Sequence, residues 1–410
     1  MTMHDPIRAE ALSARAAGDP NRAARAWRAM LDLVPDDWAV GLELKRDLRA
    51  GLHYPDSDAR FRRAARSLPD EEWLEHFSFF YTFHGGELET IDARARALAV
   101  QRPGEARLQV IMGDVASQRR DWAEAARAFE AALRLDPLQE RCAGKLATAR
   151  LYRRIEAGGF EGEGPGYAVL VINLDRTVER MVEIDRQFAG MAVRPRRLSA
   201  TDGARIPMAA ARRLAGREVV PLGTLGCFLS HVTAWELLLA GTDACALIIE
   251  DDVIPQLALP AGLGGLGLPG GWDVVFVNDR MAPQVDRDGA TGFTVHGLAG
   301  VMRAFWPETT APGADGYLIS REGARKLLAW VTADGMADDV DWRMVAYGLA
   351  DAEIASIPEG VYARRELMRV ANSRMETLAT YVLHPPLIRE VGTWSERQNA
   401  DRGEAGEEIG

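Results

Sequence analysis

The chain has 410 residues, 47% of them hydrophobic and 27% charged, which is typical of a globular protein too long for one ordinary domain. The net charge of −11 comes from the second part of the chain. Residues 1–157 hold 25 basic and 25 acidic side chains, whereas residues 158–410 hold 24 basic and 35 acidic ones. This acidic second part argues against a nucleic-acid groove, which needs a basic face, and against attraction to anionic lipid.

Four prolines recur at a spacing of 34 residues in the first part of the chain. They are Pro35, Pro69, Pro103 and Pro137. This is the period of tetratricopeptide repeats, in which each unit has two antiparallel helices and a proline closes the second. In the fourth unit, Gly113 allows close helix packing and Phe129 shares one helix face with two alanines. We therefore predict a tetratricopeptide-like α-solenoid over residues 1–157, whose concave face binds a protein partner.

A glycine-rich linker over residues 158–166 precedes a change of pattern. Beyond it, short apolar strands alternate with helices, which predicts an α/β fold with a mostly parallel sheet. The predicted strands are residues 168–172, 246–249, 274–277 and 317–319, and the predicted helices are residues 177–188, 224–239, 321–331 and 342–349. Ser320 is placed to cap the third of these helices. The whole chain is therefore predicted as α + α/β, with a disordered acidic tail at residues 397–410.

Three consecutive carboxylates, Glu250, Asp251 and Asp252, directly follow the predicted strand 246–249. Carboxylates so close together repel one another unless a positive charge lies between them. Ligands of open α/β sheets bind at the carboxyl ends of strands, and oxygen ligands suit Mg²⁺ or Mn²⁺ bridged to phosphate. The alternative is a solvated acidic turn. The position at the end of a buried strand favours a metal-assisted site.

Two further groups of polar residues are candidates for ligand contact. One lies in the run Gly223–His231, where Gly226 at a helix start permits close approach of a phosphate and Ser230 and His231 follow. Its alternative is ordinary helix packing with satisfied polar side chains. The other is Asn173, Arg176 and Arg180, just past the first strand, which suit a base, ribose or phosphate. Its alternative is a set of surface ion pairs.

Four sequence blocks together resemble glycosyltransferase family 25, which includes bacterial lipooligosaccharide galactosyltransferases and collagen galactosyltransferases. They are Val171–Leu174 with Arg180, Gly226–His231, Leu247–Asp252, and Gly316–Ser320 with Gly323 and Leu327. A short block, Ala200–Gly203, is also similar. The order and spacing of these blocks carry the resemblance. It spans roughly residues 167–390 of the predicted catalytic domain at residues 167–396 and leaves the repeats outside it.

The resemblance implies a GT-A-like nucleotide-sugar domain, inverting transfer, and a UDP-sugar donor with Mn²⁺ or Mg²⁺. Asp252 and Glu250 match the metal-binding acids, and His231 would face the sugar or acceptor. Residues expected to contact the substrate or nucleotide are Asn173, Arg176, Arg180, Asp202, Gly226, Ser230 and Asp251. An inverting transfer needs a general base. Asp315, Asp339 and Asp341 are the candidates for it. The resemblance favours Asp341 or Asp339, because the family often has an Asp-containing segment shortly after the Gly316–Ser320 block, although acids near 339–341 also suit a helix start.

Three functional hypotheses follow from this resemblance. The first is transfer of a hexose, galactose being usual in the family, to a saccharide acceptor of a surface glycolipid of the lipopolysaccharide type. The second is transfer to a protein acceptor held by the repeats. The third is a repeat-based interaction scaffold whose transferase domain is inactive. The retained carboxylates argue against this third hypothesis.

The remaining expectations concern location and cysteine chemistry. No apolar stretch reaches the length of a membrane span, and residues 1–15 lack the apolar core of a signal peptide. We expect a cytoplasmic protein without a transmembrane segment, with peripheral association at the inner face of the membrane as an alternative. Cys142, Cys227 and Cys245 form no CxxC pair, so we expect reduced thiols and neither a disulfide framework nor a zinc site.

Overall fold

A computed structural model describes most of the chain. The described residues are 5–50, 60, 63–64, 66, 68–74, 85–139, 142–158, 162, 164, 166–216, 221–281, 292–305, 312–357 and 376–390. The predicted tail at 397–410 and part of the predicted linker lie outside them. The chain divides into two compact units, Met1–Thr82 with Trp394–Gly410, and Phe83–Thr393.

The first unit contains helices α1 (Asp5–Ala16), α2 (Pro20–Leu33) and α3 (Trp38–Ala50). Helix α2 has Pro20 in its first turn, and the side chain of Asp19 accepts a hydrogen bond from the Arg22 backbone N–H. Proline tolerates that position because its missing N–H would have no partner there. Buried Trp27 donates its indole N–H to Asp47 at 2.8 Å. Apolar burial and the polar contacts of Asp47 with Trp27 and Arg15 thus hold these helices together.

The second unit begins with four helices, each packed on the next: α4 (Gly85–Gln101), α5 (Ala106–Gln118), α6 (Trp122–Leu135) and α7 (Cys142–Ala157). A Cβ at Gly113 would collide with the ring of Phe129, so this glycine allows α5 and α6 to approach. Pro103 and Pro137 follow the ends of α4 and α6. The paired helices and the close packing agree with the helical interpretation. The tetratricopeptide assignment itself stays a prediction.

The rest of the second unit is built around a seven-stranded sheet in the order β2-β1-β3-β7-β5-β8-β6. Its strands are β1 (Ala168–Asn173), β2 (Pro195–Ser199), β3 (Cys245–Glu250), β5 (Val274–Phe276), β6 (Thr294–Gly297), β7 (Gly316–Ser320) and β8 (Thr380–His384), and a separate antiparallel pair is formed by β4 (Val253–Pro255) and β9 (Ile388–Glu390). Strand β1 is parallel to β2 and β3, and β5 is parallel to β8.

The prediction of a mostly parallel sheet needs correction, because β7 is antiparallel to β3 and β5, and β6 is antiparallel to β8. The chain enters β7 at Gly316, which is paired with Ile249 at the far end of β3, so β7 must run back along it. Apolar runs reveal that a strand is buried but not its direction. The sheet is therefore mixed. Together with the N-terminal helices and the helices that flank the sheet, it gives an α + α/β architecture.

Side chains of alternate strand residues pack into two apolar cores, one on each face of the sheet. The flanking helices are α8 (Glu179–Phe188), α9 (Met208–Ala215), α10 (Leu222–Ala240), α11 (Leu298–Phe305), α12 (Arg321–Asp334), α13 (Val340–Tyr347) and α14 (Asp351–Ala355). Leu170 and Ile248 pack in the core that includes α10, whereas Val171 and Leu247 pack in the core that includes α8. Ser320 caps α12 as predicted, accepting from the Gly323 N–H. Burial on both faces explains the uninterrupted apolar strands.

Within the described part of the chain, one helix, α10, is long and apolar enough to cross a membrane by length and composition. The expectation that no stretch reaches such a length is therefore wrong for this helix. Its burial fits another role, because 61% of its apolar window is buried in the fold, and the core helix of a globular domain passes the same test. Phe228 and Trp235 of α10 are completely buried.

Helices α6 and α7 pack directly against the β4–β9 region of the sheet domain. The Trp122 indole N–H donates to the carbonyl of Gln256 at 3.1 Å, and the Tyr152 hydroxyl donates to the carbonyl of Pro386 at 2.7 Å. The two rings stack with centroids 4.4 Å apart, and Leu257 is buried in the same core. The division between compact units falls between residues 82 and 83, so these helices belong to the same unit as the sheet.

Candidate active site at the carboxyl edge of the sheet

The polar residues selected from the sequence converge where parallel strands end. In the register of the sheet, Asn173 at the end of β1 is paired with Ser199 at the end of β2, and Ile172 is paired with Glu250 at the end of β3. Parallel strands bring their carboxyl ends to one edge, so residues more than 70 positions apart become neighbours. The acidic triplet starts on the last residue of β3.

Asp251, the central acid of the triplet, is bonded to the segment that follows β1. Its carboxylate accepts from the Asn173 amide at 2.6 Å and from Arg180 at 3.0 Å. Burial raises the pKa of Asp251, and the Arg180 guanidinium and the Asn173 amide oppose that rise. These hydrogen bonds connect the turn after β3 to the end of β1 and to the start of α8.

Asn173 and Arg180 therefore support the triplet through these bonds, and their predicted contact with a nucleotide stays a prediction. Asn173 is 1% exposed, and its side-chain amide oxygen accepts a hydrogen bond from Arg197 Nε at 2.7 Å. Arg197 also pairs with Asp175 at 2.6 Å. Sequence analysis missed Arg197 because the short, polar strand β2 that carries it has no apolar run to reveal it.

Glu250 and Asp252 remain as the acids that a cation could engage. Burial raises the pKa of Asp252 well above its usual range, and the neighbouring carboxylates of Glu250 and Asp251 add to this, while Arg180 opposes it. The Glu250 side chain is one-third exposed. Oxygen donors in a low-dielectric site with an excess of negative charge fit a hard divalent ion, whose charge would favour the ionised carboxylates. The residues present therefore fit the Mn²⁺ or Mg²⁺ that the family resemblance implies.

Arg176 and Asp202 form an ion pair at the rim of this edge. Arg176 donates to Asp202 at 2.6 Å, and the other carboxylate oxygen of Asp202 accepts from the Ala204 backbone N–H. The Arg176 side chain is 39% exposed. Both residues were predicted on the nucleotide side, and the structure brings them together at the surface beside β1.

Gly226 and Ser230 make packing contacts in this structure, and their predicted contact with substrate stays a prediction. A Cβ at Gly226 would lie 2.7 Å from the Gly203 nitrogen, and one at Gly203 would collide with the Leu222 carbonyl. The Ser230 hydroxyl donates to the Gly226 carbonyl and accepts from the Thr201 N–H. Residues 201–203 therefore pack against the first turns of α10.

His231 is completely buried in this structure, and its predicted contact with the sugar or acceptor stays a prediction. Its Nδ1 lies 2.9 Å from the Tyr317 hydroxyl, which accepts from the Trp235 indole N–H at 2.9 Å. Its Nε2 points to the triplet and lies 3.5 Å from Glu250 Oε1. The histidine thus approaches the site from inside the protein.

Of the three candidate bases, Asp315 lies beside the triplet. Its backbone carbonyl accepts from the Glu250 N–H at 3.2 Å, and its carboxylate accepts from the Asn278 amide at 3.0 Å and contacts Arg280 at 3.3 Å. Burial raises the pKa of Asp315 to about 7, with Arg280 opposing and Glu250 adding to the rise. Arg280 also pairs with Glu390 at 2.9 Å. Asn278, Arg280 and Glu390 were missed because they lie on loops and a three-residue strand.

Asp341 and Asp339 have structural contacts at the start of α13. The buried Asp341 carboxylate accepts from the backbone N–H groups of Gly313 at 2.9 Å and Trp342 at 2.8 Å. It thereby holds the segment that leads to Asp315. Asp339 occupies the N-cap position of α13, where its side chain makes no capping bond, and its carbonyl accepts from Arg343.

An open surface cleft occurs at the opposite edge of the sheet, near the starts of β1, β2 and β3. Its lining includes Tyr167, Arg194 and Asp243. Because the starts and ends of parallel strands lie at opposite edges, this cleft is remote from the triplet and is not part of the candidate active site.

Comparison with known proteins identifies the part of the chain that carries this geometry. Residues 167–262 match the sequence profile described as "Glycosyltransferase family 25 (LPS biosynthesis protein)". Residues 167–262 are therefore similar to glycosyltransferase family 25. The matched span includes β1, β2, β3 and the acidic triplet.

Curated relatives resemble the same domain at modest identity. The chain is 27% identical to "Glycosyltransferase 25 family member" of Aedes aegypti and to "Procollagen galactosyltransferase 1" of Danio rerio, and 30% identical to "Inactive glycosyltransferase 25 family member 3" of Homo sapiens. Each alignment covers 39% of this chain and 27% or 28% of the relative. The chain therefore spans little more than a quarter of the length of these relatives.

Proposed function

We propose that this chain is a metal-dependent, inverting glycosyltransferase. It transfers a hexose, with galactose as the leading candidate, from a UDP-sugar to a saccharide acceptor. The acceptor belongs to a surface glycolipid of the lipopolysaccharide type. The observation that carries the proposal is the pair Glu250 and Asp252 at the carboxyl end of β3, inside the span that is similar to family 25. The description of that family as lipopolysaccharide biosynthesis proteins supports the acceptor class. A mixed seven-stranded sheet covered by helices is consistent with the GT-A-like domain that we propose.

Each acid of the triplet has a separate role in this proposal. Glu250 and Asp252 would hold Mn²⁺ or Mg²⁺, which as a Lewis acid neutralises charge on the departing diphosphate. Asp251 fixes the turn through Asn173 and Arg180. The general base stays open among Asp315, Asp339 and Asp341. Position favours Asp315, because it adjoins Glu250 whereas both oxygens of Asp341 accept backbone N–H groups.

The test is thermal stabilisation of the full chain by a panel of nucleotide sugars, with and without Mn²⁺. A donor present near 100 times its dissociation constant should stabilise the fold by about 2.7 kcal/mol. Asp252→Asn should abolish the Mn²⁺-dependent part, whereas Asp185→Asn, on the exposed face of α8, should leave it intact. The absence of any Mn²⁺-dependent shift with every sugar nucleotide would overturn the proposal.

A protein acceptor is the second candidate, favoured by the relative named procollagen galactosyltransferase and by the helical units. The structure places a suitable truncation after Thr82, because Trp122 and Tyr152 belong to the sheet-bearing unit. A chain beginning at Phe83 should keep transfer to a small saccharide. If the first unit holds a protein acceptor, the same truncation should abolish transfer to that protein.

An interaction scaffold with an inactive transferase domain is the third candidate, since several relatives carry "inactive" in their names. It requires that the chain neither bind nor hydrolyse a sugar nucleotide while the helical unit still binds a partner. Hydrolysis of UDP-galactose that is Mn²⁺-dependent and lost in Asp252→Asn would exclude it. The acidic triplet favours the active alternatives, because an inactive site has no need of clustered carboxylates.

A further inference from the structure

We propose that Cys227, His231 and Glu250 form a binding site for a borderline-soft divalent metal ion such as Zn²⁺. Cys227 and His231 are four residues apart on α10, so their side chains share one helix face. Glu250 faces them from the end of β3. Sulfur, imidazole nitrogen and carboxylate oxygen together are the donor set that zinc prefers.

The three donor atoms are already close to the spacing that a tetrahedral ion needs. Glu250 Oε1 lies 3.5 Å from His231 Nε2 and 3.9 Å from Cys227 Sγ, and all three donor atoms lie within 4.8 Å of one another. Zinc bonds of about 2.0 Å to nitrogen and oxygen and about 2.3 Å to sulfur place tetrahedral ligands roughly 3.3–3.6 Å apart. A small side-chain adjustment closes the site and leaves a fourth position for water.

An independent observation concerns His231 Nε2, the nitrogen aimed at this site. The side chain is completely buried, and Nε2 makes no hydrogen bond. Buried polar atoms nearly always have a partner, and an imidazole nitrogen without one is suited to a metal. The ring cannot turn away easily, because Nδ1 is bonded to the Tyr317 hydroxyl and Trp235 fixes that hydroxyl. Anchoring through the other ring nitrogen is the usual support of a metal-binding histidine.

Metal binding has a defined proton balance at these residues. The Cys227 thiol loses its proton to solvent and binds as the thiolate. His231 binds as neutral imidazole through Nε2, so its remaining ring proton lies on Nδ1 and donates to the Tyr317 oxygen. Glu250 binds as the carboxylate. The site then has two negative ligands for a doubly charged ion, so binding neutralises it.

This site differs from the proposed Mn²⁺ or Mg²⁺ site in ligand chemistry, although the two share Glu250. Thiolate and imidazole select zinc-like ions, whereas carboxylates alone suit hard ions. Glu250 Oε1 makes both of the contacts described here. The sequence lacked the signal because Glu250 lies 19 residues beyond His231 on another element. The expectation of no zinc site rested only on the absence of CxxC spacing.

The test uses Co²⁺ as a spectroscopic probe on the untagged full chain. One equivalent of Co²⁺ should produce thiolate-to-cobalt charge-transfer absorption in the near ultraviolet. Zn²⁺ should remove that absorption and excess Mg²⁺ should not. A site of carboxylates alone gives no sulfur band, so this result is independent of whether the chain binds a sugar nucleotide. The absence of a sulfur band would overturn the proposal even if donor binding succeeds.

Variants assign the band to the three residues. Cys227→Ala should abolish it, and His231→Asn should weaken Co²⁺ and Zn²⁺ binding at least about tenfold, which corresponds to about 1.4 kcal/mol. Cys245→Ala is the matched control and should keep the band, since Cys245 lies at the other end of β3. Circular dichroism checks that each variant is folded. A band that survives in Cys227→Ala, or that disappears in Cys245→Ala, would contradict the assignment.

Discussion

Asn173 shows how one side chain can organise a site through contacts within the protein. Its amide nitrogen donates to Asp251 and to the Thr177 carbonyl, and its oxygen accepts from Arg197. It therefore connects β1, β2 and the triplet in a buried position. In the sequence, an asparagine after a strand is equally suited to bind a nucleotide, because the residue type does not specify which partner uses its amide.

Asn173→Ala should lower the free energy of unfolding by about 1–3 kcal/mol, because it takes a hydrogen-bond partner from the largely buried carboxylate of Asp251 and removes the bond to Arg197. Urea unfolding followed by circular dichroism measures the change. Gln101→Ala, at the exposed end of α4, is the control and should change stability by no more than about 0.5 kcal/mol. Equal effects of the two substitutions would contradict the role given to Asn173.

The cysteines should differ in reactivity. Burial raises the pKa of Cys245 to about 11 and also raises the pKa of Cys142, whereas Cys227 is only half-buried. The thiolate is the reactive form, and for Cys245 it amounts to roughly one molecule in a thousand at pH 8. Iodoacetamide at pH 8 should therefore label Cys227 first, and labelling of Cys245 should increase as the pH rises towards 11. Peptide mass spectrometry reads the order, and preferential labelling of Cys245 at pH 8 would refute it.

At the scale of elements, two separate sequence blocks are explained by one contact. Gly203 belongs to the segment after β2, and Gly226 belongs to the first turns of α10. Each occupies a place where a Cβ would strike the backbone of the other element. Two blocks that resemble the family separately are thus the two sides of one interface, which holds α10 and its residues Cys227 and His231 beside β3.

Gly226→Ala should destabilise the chain by about 1–3 kcal/mol through overpacking against residues 201–203. Gly300→Ala in α11 offers a matched comparison, since a Cβ there meets nothing within 4 Å. It should stabilise the chain by up to about 1 kcal/mol, the helix-propensity gain of alanine over glycine. Chemical unfolding of both variants tests the sign difference, and a neutral Gly226→Ala would remove the packing explanation.

At the scale of the molecule, α6 and α7 are part of the sheet-bearing unit. They contact Gln256 and Pro386, which flank the small sheet formed by β4 and β9. Strand β4 begins directly after the triplet, and β9 carries Glu390, which pairs with Arg280. The helices therefore pack against two segments that lead to the candidate site.

Removal of residues 1–82 should leave a folded protein, whereas removal of residues 1–157 should not, because it exposes Leu257 and removes Trp122 and Tyr152. A milder version is Tyr152→Phe, which removes one buried hydrogen bond and should cost about 1 kcal/mol. Solubility and cooperative thermal unfolding of the two truncated chains are the measurements. A soluble, cooperatively folded chain beginning at residue 158 would show that the helices are dispensable.

The sequence by itself determined the elements with strong local signals. Uninterrupted apolar runs predicted β1, β3, β5 and β7, glycine and proline spacing predicted the helical pairs, and the triplet marked the carboxyl edge of β3. Only the tertiary structure decided that β7 is antiparallel, that Asn173 and Arg180 bond Asp251, and that His231 is buried against Glu250. The physical reason is the distance along the sequence over which each interaction acts. Burial and backbone propensity act over a few neighbouring residues and leave a periodic trace, whereas the partner of a polar side chain depends on which distant segments the fold brings within about 3 Å.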